Sequence, residues 1–449
     1  MMQFKLYFLA FSFSCLTSSV LAAEGDGNGI DSPTSPGAAI ADAVNEAIDT
    51  ANKEYVVWPK DGKNEGQLTT TEKLIKSLLK LEKVYSYRDI DNELLFWKVK
   101  ATDNQVKTLK DNVGVQDIEE NKDVNEPHAA MPLPSEAPHL MNKFDKRDLT
   151  YTTQTKPDQS ELVMVSQPTT VPKLEDLENY VYESHGGEGI WLYHVEHGID
   201  AANTDEFPTD RVEFLQTQES KDANEDERKD GSKALPNKPL SEFHSTATAS
   251  KAAGSKYGAC KKCKIVVVKM QEGWSLSQSA SIFDFVHKDI KAKPERKKKC
   301  VITTSWGGSG KTDPNFLGIG QNRQRLQIEK LLKDDVIFVT SAGNNAKFED
   351  PDDPSKKRTE VDSTPGVFEK DTVPIINVGA VDFTGAPADF SQGGPRVKIL
   401  GPGVGVKTAK KESKDVLTID GTSFCEYNSL SHHVSKWFLK IAPFPQDIC

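Results

Sequence analysis

A train of short apolar runs alternating with helical stretches fills the C-terminal two thirds of this chain and limits what it can fold into. After residue 150 come "GIWLYHVEHGI", "KIVVVKM", "CVITTSW", "DVIFVTSAG", "VPIINVGAV" and "VKILGPG", with helical patterns at Ser275 to Ile290 and Arg323 to Lys333 between them. Strand-length runs that are apolar at consecutive positions are buried on both faces. Helices between them supply the two covers, so the pattern predicts an α/β domain with a doubly wound, mainly parallel sheet. The polar interval Asp205 to Phe243 reads as an irregular insert on its surface.

A different pattern precedes it. "EYVVWPK" is a strand. Thr69 with Glu72 forms a capping-box signal before Leu74, Ile75, Leu78 and Leu79 at helical spacing, and "KVYSYRD" and "ELLFWKVKA" are strands around a turn at Ile90 to Asn92. Thr102 with Gln105 opens a short helix, and "VGVQDIE" closes the unit. The order β-α-β-β-α-β predicts a small ferredoxin-like α+β unit over residues 52–120. Residues 121–149 turn acidic and proline rich, a linker that ends near the dibasic pair Lys146-Arg147.

Residues 1–22 place Lys5 before an apolar run from Leu6 to Leu16 and then small residues, the pattern of a cleaved secretory signal. The run is too short to span a bilayer, so the expectation is an exported protein with no membrane association once the signal is gone. Residues 23–51 are rich in Gly, Ser, Pro, Asp and Ala and read as a flexible leader. The net charge of -11 argues against nucleic-acid binding, and the basic run Lys293 to Cys300 reads as a solvated loop. Without Cys15 five cysteines remain: Cys260, Cys263, Cys300, Cys425 and Cys449. Their pairing is open, and the lone Cys260-x-x-Cys263 lacks the companion ligands of a zinc site, so no metal is expected.

Acyl transfer by a serine needs a base, an acid that orients the base, and donors for the developing oxyanion. Candidates occur in the order acid, His, Ser, one of the chain orders in which such triads are found. Five separated segments carry a resemblance. "HSTATASKAAGSKYGACKKCKIVVVKM" begins at His244, "VITTSWGG" ends at Gly308, "VIFVTSAGNNA" contains Asn344, "VPIINVGAVDFTGAPADFSQGGPRVKILGPGV" follows, and "DGTSF" holds Ser423. In this order they resemble the subtilisin-like serine peptidases, over about residues 160 to 424.

The resemblance implies His244 as base, Ser423 as nucleophile, Asn344 as oxyanion donor, and Ser305, Trp306, Gly307 and Gly308 as a strand that pairs with an extended peptide substrate. It also implies that the N-terminal unit is an inhibitory prodomain, an intramolecular partner cut away at or after Arg147. Where the family has Asp-Thr-Gly, this chain reads Glu196-His197-Gly198, so Glu196 is expected as the acid in preference to Asp200. Calcium is frequent in the family, but no ligand set is assignable, and no cofactor is expected. After Phe424 the family pattern stops, so the catalytic domain, residues 150–449, is expected to be atypical or truncated beyond 424. The expected function is a secreted serine endopeptidase acting on polypeptides; the alternative is a catalytically impaired homologue that binds peptides or proteins.

Overall fold

The computed structural model describes residues 53–127, 151–155, 157–166, 178–235, 239–271, 274–308 and 311–426. The signal and leader, the linker from residue 128 with Lys146-Arg147, and the tail from residue 427 lie outside these residues. The described residues, from Lys53 onward, form one compact unit.

Its first part is a four-stranded antiparallel sheet of β1 (Lys53–Pro59), β2 (Tyr85–Arg88), β3 (Leu94–Ala101) and β4 (Val115–Glu120), in the order β2-β3-β1-β4. Helices α1 (Glu65–Leu79) and α2 (Asp103–Lys110) follow β1 and β3. Thr102 and Gln105 form the expected capping box on α2. The other helix starts earlier than its sequence signal: Asn64, not Thr69, is the N-cap and accepts from Gln67 N, which extends α1 by a turn. Alternation along β1 explains its unbroken apolar run. Tyr55 and Val57 face α1 and α2, while Val56 and Trp58 face the second part of the molecule with Phe96, Leu276, Ala280 and Ile319.

Strand β5 (Asn125–Pro127) leads out of this part. A hairpin of β6 (Tyr151–Thr155) and β7 (Asn179–Glu183) flanks the short helix α3 (Ser160–Val165). The main sheet then uses β8 (Trp191–Glu196), β9 (Val212–Gln216), β10 (Lys264–Lys269), β11 (Cys300–Thr304), β13 (Ile337–Ser341), β16 (Ile376–Val381) and β17 (Val397–Pro402). The order is β17-β16-β13-β11-β8-β10-β9, and every pair is parallel. Strand β12 (Trp306–Gly308) follows β11, and two hairpins, β14 (Glu349–Asp350) with β15 (Asp353–Lys357) and β18 (Val406–Ala409) with β19 (Val416–Ile419), complete the strands.

Burial on both faces is visible residue by residue in β10. Ile265 and Val267 join the cluster containing Ala249, Ala252 and Ala253 of α5 (His244–Ala253). Val266 and Val268 join the opposite cluster, with Phe283 of α6 (Leu276–Ala292) and Ile328 of α7 (Ile319–Lys333). The doubly wound α/β architecture read from the apolar runs is the one observed. The polar interval 205–243 needs correction: it supplies the edge strand β9 and the short helix α4 (Gln218–Asp222). The basic run also departs from a solvated loop at Arg296, which is buried and donates to Tyr193 Oη, Asp289 and Glu213.

Helix α5 runs through the interior with all ten residues buried, which Ala, Ser and Thr allow by permitting close approach. Its one long charged side chain, Lys251, meets Glu161 of α3 at 2.6 Å with both fully enclosed. Burial lowers the Lys251 pKa and the Glu161 carboxylate opposes that shift. Removing one partner strands the other charge, so Glu161→Gln should cost about 3–5 kcal/mol. Urea unfolding should show this loss, and the pair Glu161→Gln with Lys251→Met should recover part of it. A single-variant loss below about 1 kcal/mol would contradict the assignment.

Candidate active site

Strand β8 is the point where the strand order reverses: β10 and β9 lie to one side, and β11, β13, β16 and β17 to the other. Connections of opposite sense leave a crevice at the carboxyl ends of such strands. Glu196 is the last residue of β8 and is fully buried. Directly after it the chain must turn, which Gly198 permits: its φ is +96°, and a Cβ there would meet Lys229 O at 2.5 Å.

His244 is the first residue of α5. Its Nε2 lies 3.0 Å from Ser423 Oγ, and its Nδ1 lies 3.5 Å from Glu196 Oε1. All three side chains are at most 1% exposed. The order carboxyl, imidazole, hydroxyl is the linear arrangement that proton withdrawal from a serine requires. The Nδ1 to Oε1 separation exceeds an ordinary hydrogen bond, so the carboxylate acts on the imidazole here mainly as a charge. Burial raises the Glu196 pKa, and the facing His244 offsets part of the shift. Asp200, the less favoured acid, is turned away: its Oδ2 accepts from Glu412 N at 2.8 Å and its Oδ1 from Ala202 N.

Asn344 follows β13. Its Oδ1 accepts from Thr422 N at 3.0 Å and Thr422 Oγ1 at 2.8 Å. With the oxygen committed to Thr422, the donor end Nδ2 lies beside the Gly421–Ser423 turn, 3.3 Å from where a Cβ on Gly421 would stand. Ser305 brackets the nucleophile position, its carbonyl accepting from Ser423 Oγ at 3.3 Å while its hydroxyl donates to Ser423 O at 3.4 Å. Trp306 presents only its backbone to the cleft. Its indole is buried, donates to Val195 O at 2.8 Å and stacks on Phe283. Gly307 and Gly308 complete β12, which is paired antiparallel with β5: Trp306 opposite Pro127, Gly307 opposite Glu126, and Gly308 opposite Asn125.

Sequence reasoning missed two residues that set the His244 geometry. Asp230 Oδ2 accepts from Thr246 N at 2.7 Å and also from Thr246 Oγ1, and Ser232 Oγ accepts from Ser245 N at 3.3 Å. Together they cap the first turn of α5 from a distant loop, where a local cap is absent. Cys260 and Cys263 form a disulfide, while Cys300 and Cys425 are free and buried. The acidic cluster Asp89, Asp91 and Glu93 has ligand-like spacing, but Lys330 Nζ sits 2.7 Å from Asp89 and already supplies a positive charge, so we assign no ion there.

The sequence profile of the subtilase family matches residues 101–425. The chain belongs to the subtilase family. It is 29% identical over 265 residues to Subtilisin-like protease 2 of Arthroderma otae, an alignment covering 58% of this chain and 52% of that protein. The same protein of Trichophyton tonsurans is 29% identical over 267 residues, with the same coverage. This subtilase thus spans about half the length of the curated relatives it matches. Among solved structures, the Epidermin Leader Peptide Processing Serine Protease (EpiP) of Staphylococcus aureus superimposes with a TM-score of 0.54 at 13% identity, covering 86% of this chain and 91% of that one. A mutant form of the same protease gives 0.53 at 14% identity, covering 87% and 92%. At these identities the likeness speaks for the fold.

Two further histidines surround the centre. Burial drives the pKa of both His194 and His197 down to about 3. His194 Nε2 faces Ser245 O at 3.1 Å, and His197 Nδ1 accepts from Trp274 Nε1 at 3.1 Å. A histidine whose folded pKa is depressed contributes stability that is present above its unfolded pKa, about 6.5, and lost as pH falls below it. Each should therefore lower stability by up to about 1.4 kcal/mol per pH unit between roughly 6.5 and 4. Denaturant titrations across that window should show the fall, reduced by one proton in His194→Gln. A wild-type stability that stays level there would contradict it.

Proposed function

We propose that this subtilase is the precursor of a secreted serine endopeptidase. The observation that carries the reading is the 3.0 Å approach of His244 Nε2 to Ser423 Oγ, with Glu196 on the opposite side of the ring. In this reading His244 takes the Ser423 proton as Oγ attacks a peptide carbonyl. Glu196 stabilises the imidazolium that results, and Asn344 Nδ2 donates to the oxygen that gains charge. The imidazolium then protonates the leaving amine, and water repeats the sequence on the acyl-enzyme. The substrate is an extended polypeptide that pairs with β12, as β-strand addition to an exposed edge requires.

Export is supported by the N-terminal signal pattern and by the Cys260–Cys263 disulfide, a bond favoured in oxidising compartments. Among the described residues no helix is long and apolar enough to cross a membrane. The N-terminal unit acts as an intramolecular inhibitor. It docks through Tyr87 Oη to Asp284 at 3.0 Å, Ile90 N to Asp284 at 2.8 Å and Lys330 to Asp89 at 2.7 Å, and its β5 takes the edge of β12 that a substrate would use.

A serine-directed fluorophosphonate should label the protein on Ser423, and Ser423→Ala should abolish labelling. A folded protein that resists labelling after removal of the N-terminal unit would favour the peptide-binding alternative. Glu196→Gln should lower kcat by about 10³–10⁴-fold with little change in KM, as expected when the group orienting a catalytic histidine loses its charge. Asn344→Ala should lower kcat by about 10²–10³-fold, the range known for subtilisin itself. Equal activity of the Glu196 variant and wild type would transfer the acid role elsewhere.

A further inference from the structure

A lysine at the carboxyl edge of the sheet joins the two pieces of chain on which the Glu196–His244 pair depends. Resting on the peptidase reading above, we infer that Lys269 is a positioning residue for that pair: its ammonium locks the turn after Glu196 to the loop that caps α5.

The placement follows from strand geometry. Side chains alternate between faces along β10, and Ile265 and Val267 point into the cluster that holds Ala249, Ala252 and Ala253 of α5. Lys269, two residues beyond Val267 and the last of the strand, falls on the same face, at the carboxyl end where the crevice lies. Its main chain is fixed on both sides. It lies in register with Glu196 of β8 and Gln216 of β9, its carbonyl accepts from Thr217 N at 3.2 Å, and Met270 N donates to Glu196 O at 3.0 Å.

From this rigid point the side chain, only 2% exposed, threads between two glycines. A Cβ on Gly198 would stand 3.0 Å from its Cδ and 3.2 Å from its Nζ, and a Cβ on Gly231 would stand 2.9 Å from its Nζ. Nζ donates to His197 O at 2.7 Å and to Lys229 O at 2.9 Å. His197 directly follows Glu196, and Lys229 directly precedes Asp230, whose carboxylate holds the first turn of α5 through Thr246. The His197 carbonyl also accepts from Gly231 N at 2.9 Å, so this one oxygen joins strand end, loop and ammonium. A single cation thus spans the segment that ends in the acid and the segment that anchors the base.

An ionised donor makes the lock firm, because its hydrogen bonds are roughly twice as strong as those of a neutral one. What it controls is a separation with little slack. His244 Nδ1 and Glu196 Oε1 are already 3.5 Å apart, and a misplacement of about 1 Å in such a constellation costs about 10²-fold in rate. Loss of the ammonium leaves the Gly231 N to His197 O bond and the sheet register in place. The fold should therefore persist while the alignment of acid and base relaxes.

The test uses the full chain secreted from a eukaryotic host, with a fluorophosphonate as probe at varied concentration, so that probe binding and the limiting labelling rate at Ser423 separate. Lys269→Met keeps the stem and removes the donor. It should lower the limiting rate at least about tenfold, with probe binding changed less than about twofold and a cooperative melt retained. Asp230→Asn should act in the same direction, and the double variant should lose less than the product of the two effects, because both work through one loop. Gly231→Ala crowds Nζ without touching Ser423, His244 or Glu196; it should lower the limiting rate at least about threefold, and it carries the test alone if Lys269→Met is not secreted. A smaller loss of rate, a defect confined to probe binding, or a double variant equal to the product overturns the inference and leaves the peptidase reading standing, since the wild type still labels. A wild type that does not label at Ser423 overturns the peptidase reading, and the inference falls with it.

Discussion

The seven parallel strands end at one edge, and that shared edge is the constraint on which everything else depends. Glu196 closes β8, Ser305 to Gly308 continue from β11, and Asn344 follows β13. Because β8, β11 and β13 are successive neighbours in hydrogen-bonded register, their ends cannot move apart without breaking the sheet. His244 and Ser423 are then brought to this edge from α5 and from the turn after β19. Thr408 Oγ1 bonding to Ala247 O at 2.7 Å ties the two together.

Much of this was legible because it follows from periodicity. The consecutive apolar residues of "KIVVVKM" have to be buried on both faces, and Ile265 and Val266 are found in opposite clusters. The capping box at Thr102 was legible because its two partners are three residues apart and their bonds are local. What escaped was non-local or weakly patterned. Strand β9, "VEFLQ", is an edge strand whose residues are all only partly buried, so neither alternation nor a continuous apolar run marks it. Asp230 reaches α5 from a loop, and no spacing rule connects it with Thr246. Arg296 looked like one charge in a basic run, and its burial depends on Tyr193, Asp289 and Glu213 converging from three elements.

The site residues divide in the same way. Ser423, His244 and Asn344 were readable as positions in ordered motifs, because each motif combines a strand or helix signal with the turn that ends it. Trp306 was readable only as a backbone contributor. That its indole turns inward follows from the period of two along a strand whose neighbours in space, Phe283 and Trp274, lie far away in sequence.

The Asp230 cap bears on how the proposed triad, with glutamate as its acid, is balanced. His244 opens α5, and the first turn of a helix carries a partial positive charge that disfavours a second positive charge beside it. An imidazolium forming at that point meets this cost in a site almost closed to water. Two carboxylates oppose it. Asp230 binds the Thr246 N–H and hydroxyl, neutralising the helix end, and Glu196 stands on the Nδ1 side of the ring. Their mutual repulsion contributes to raising the Glu196 pKa, beneath the larger effect of burial. The neighbouring His194 and His197 are held neutral, so neither adds positive charge to the same pocket. The loop cap and the strand-end carboxylate thus set the direction of the field at His244 together.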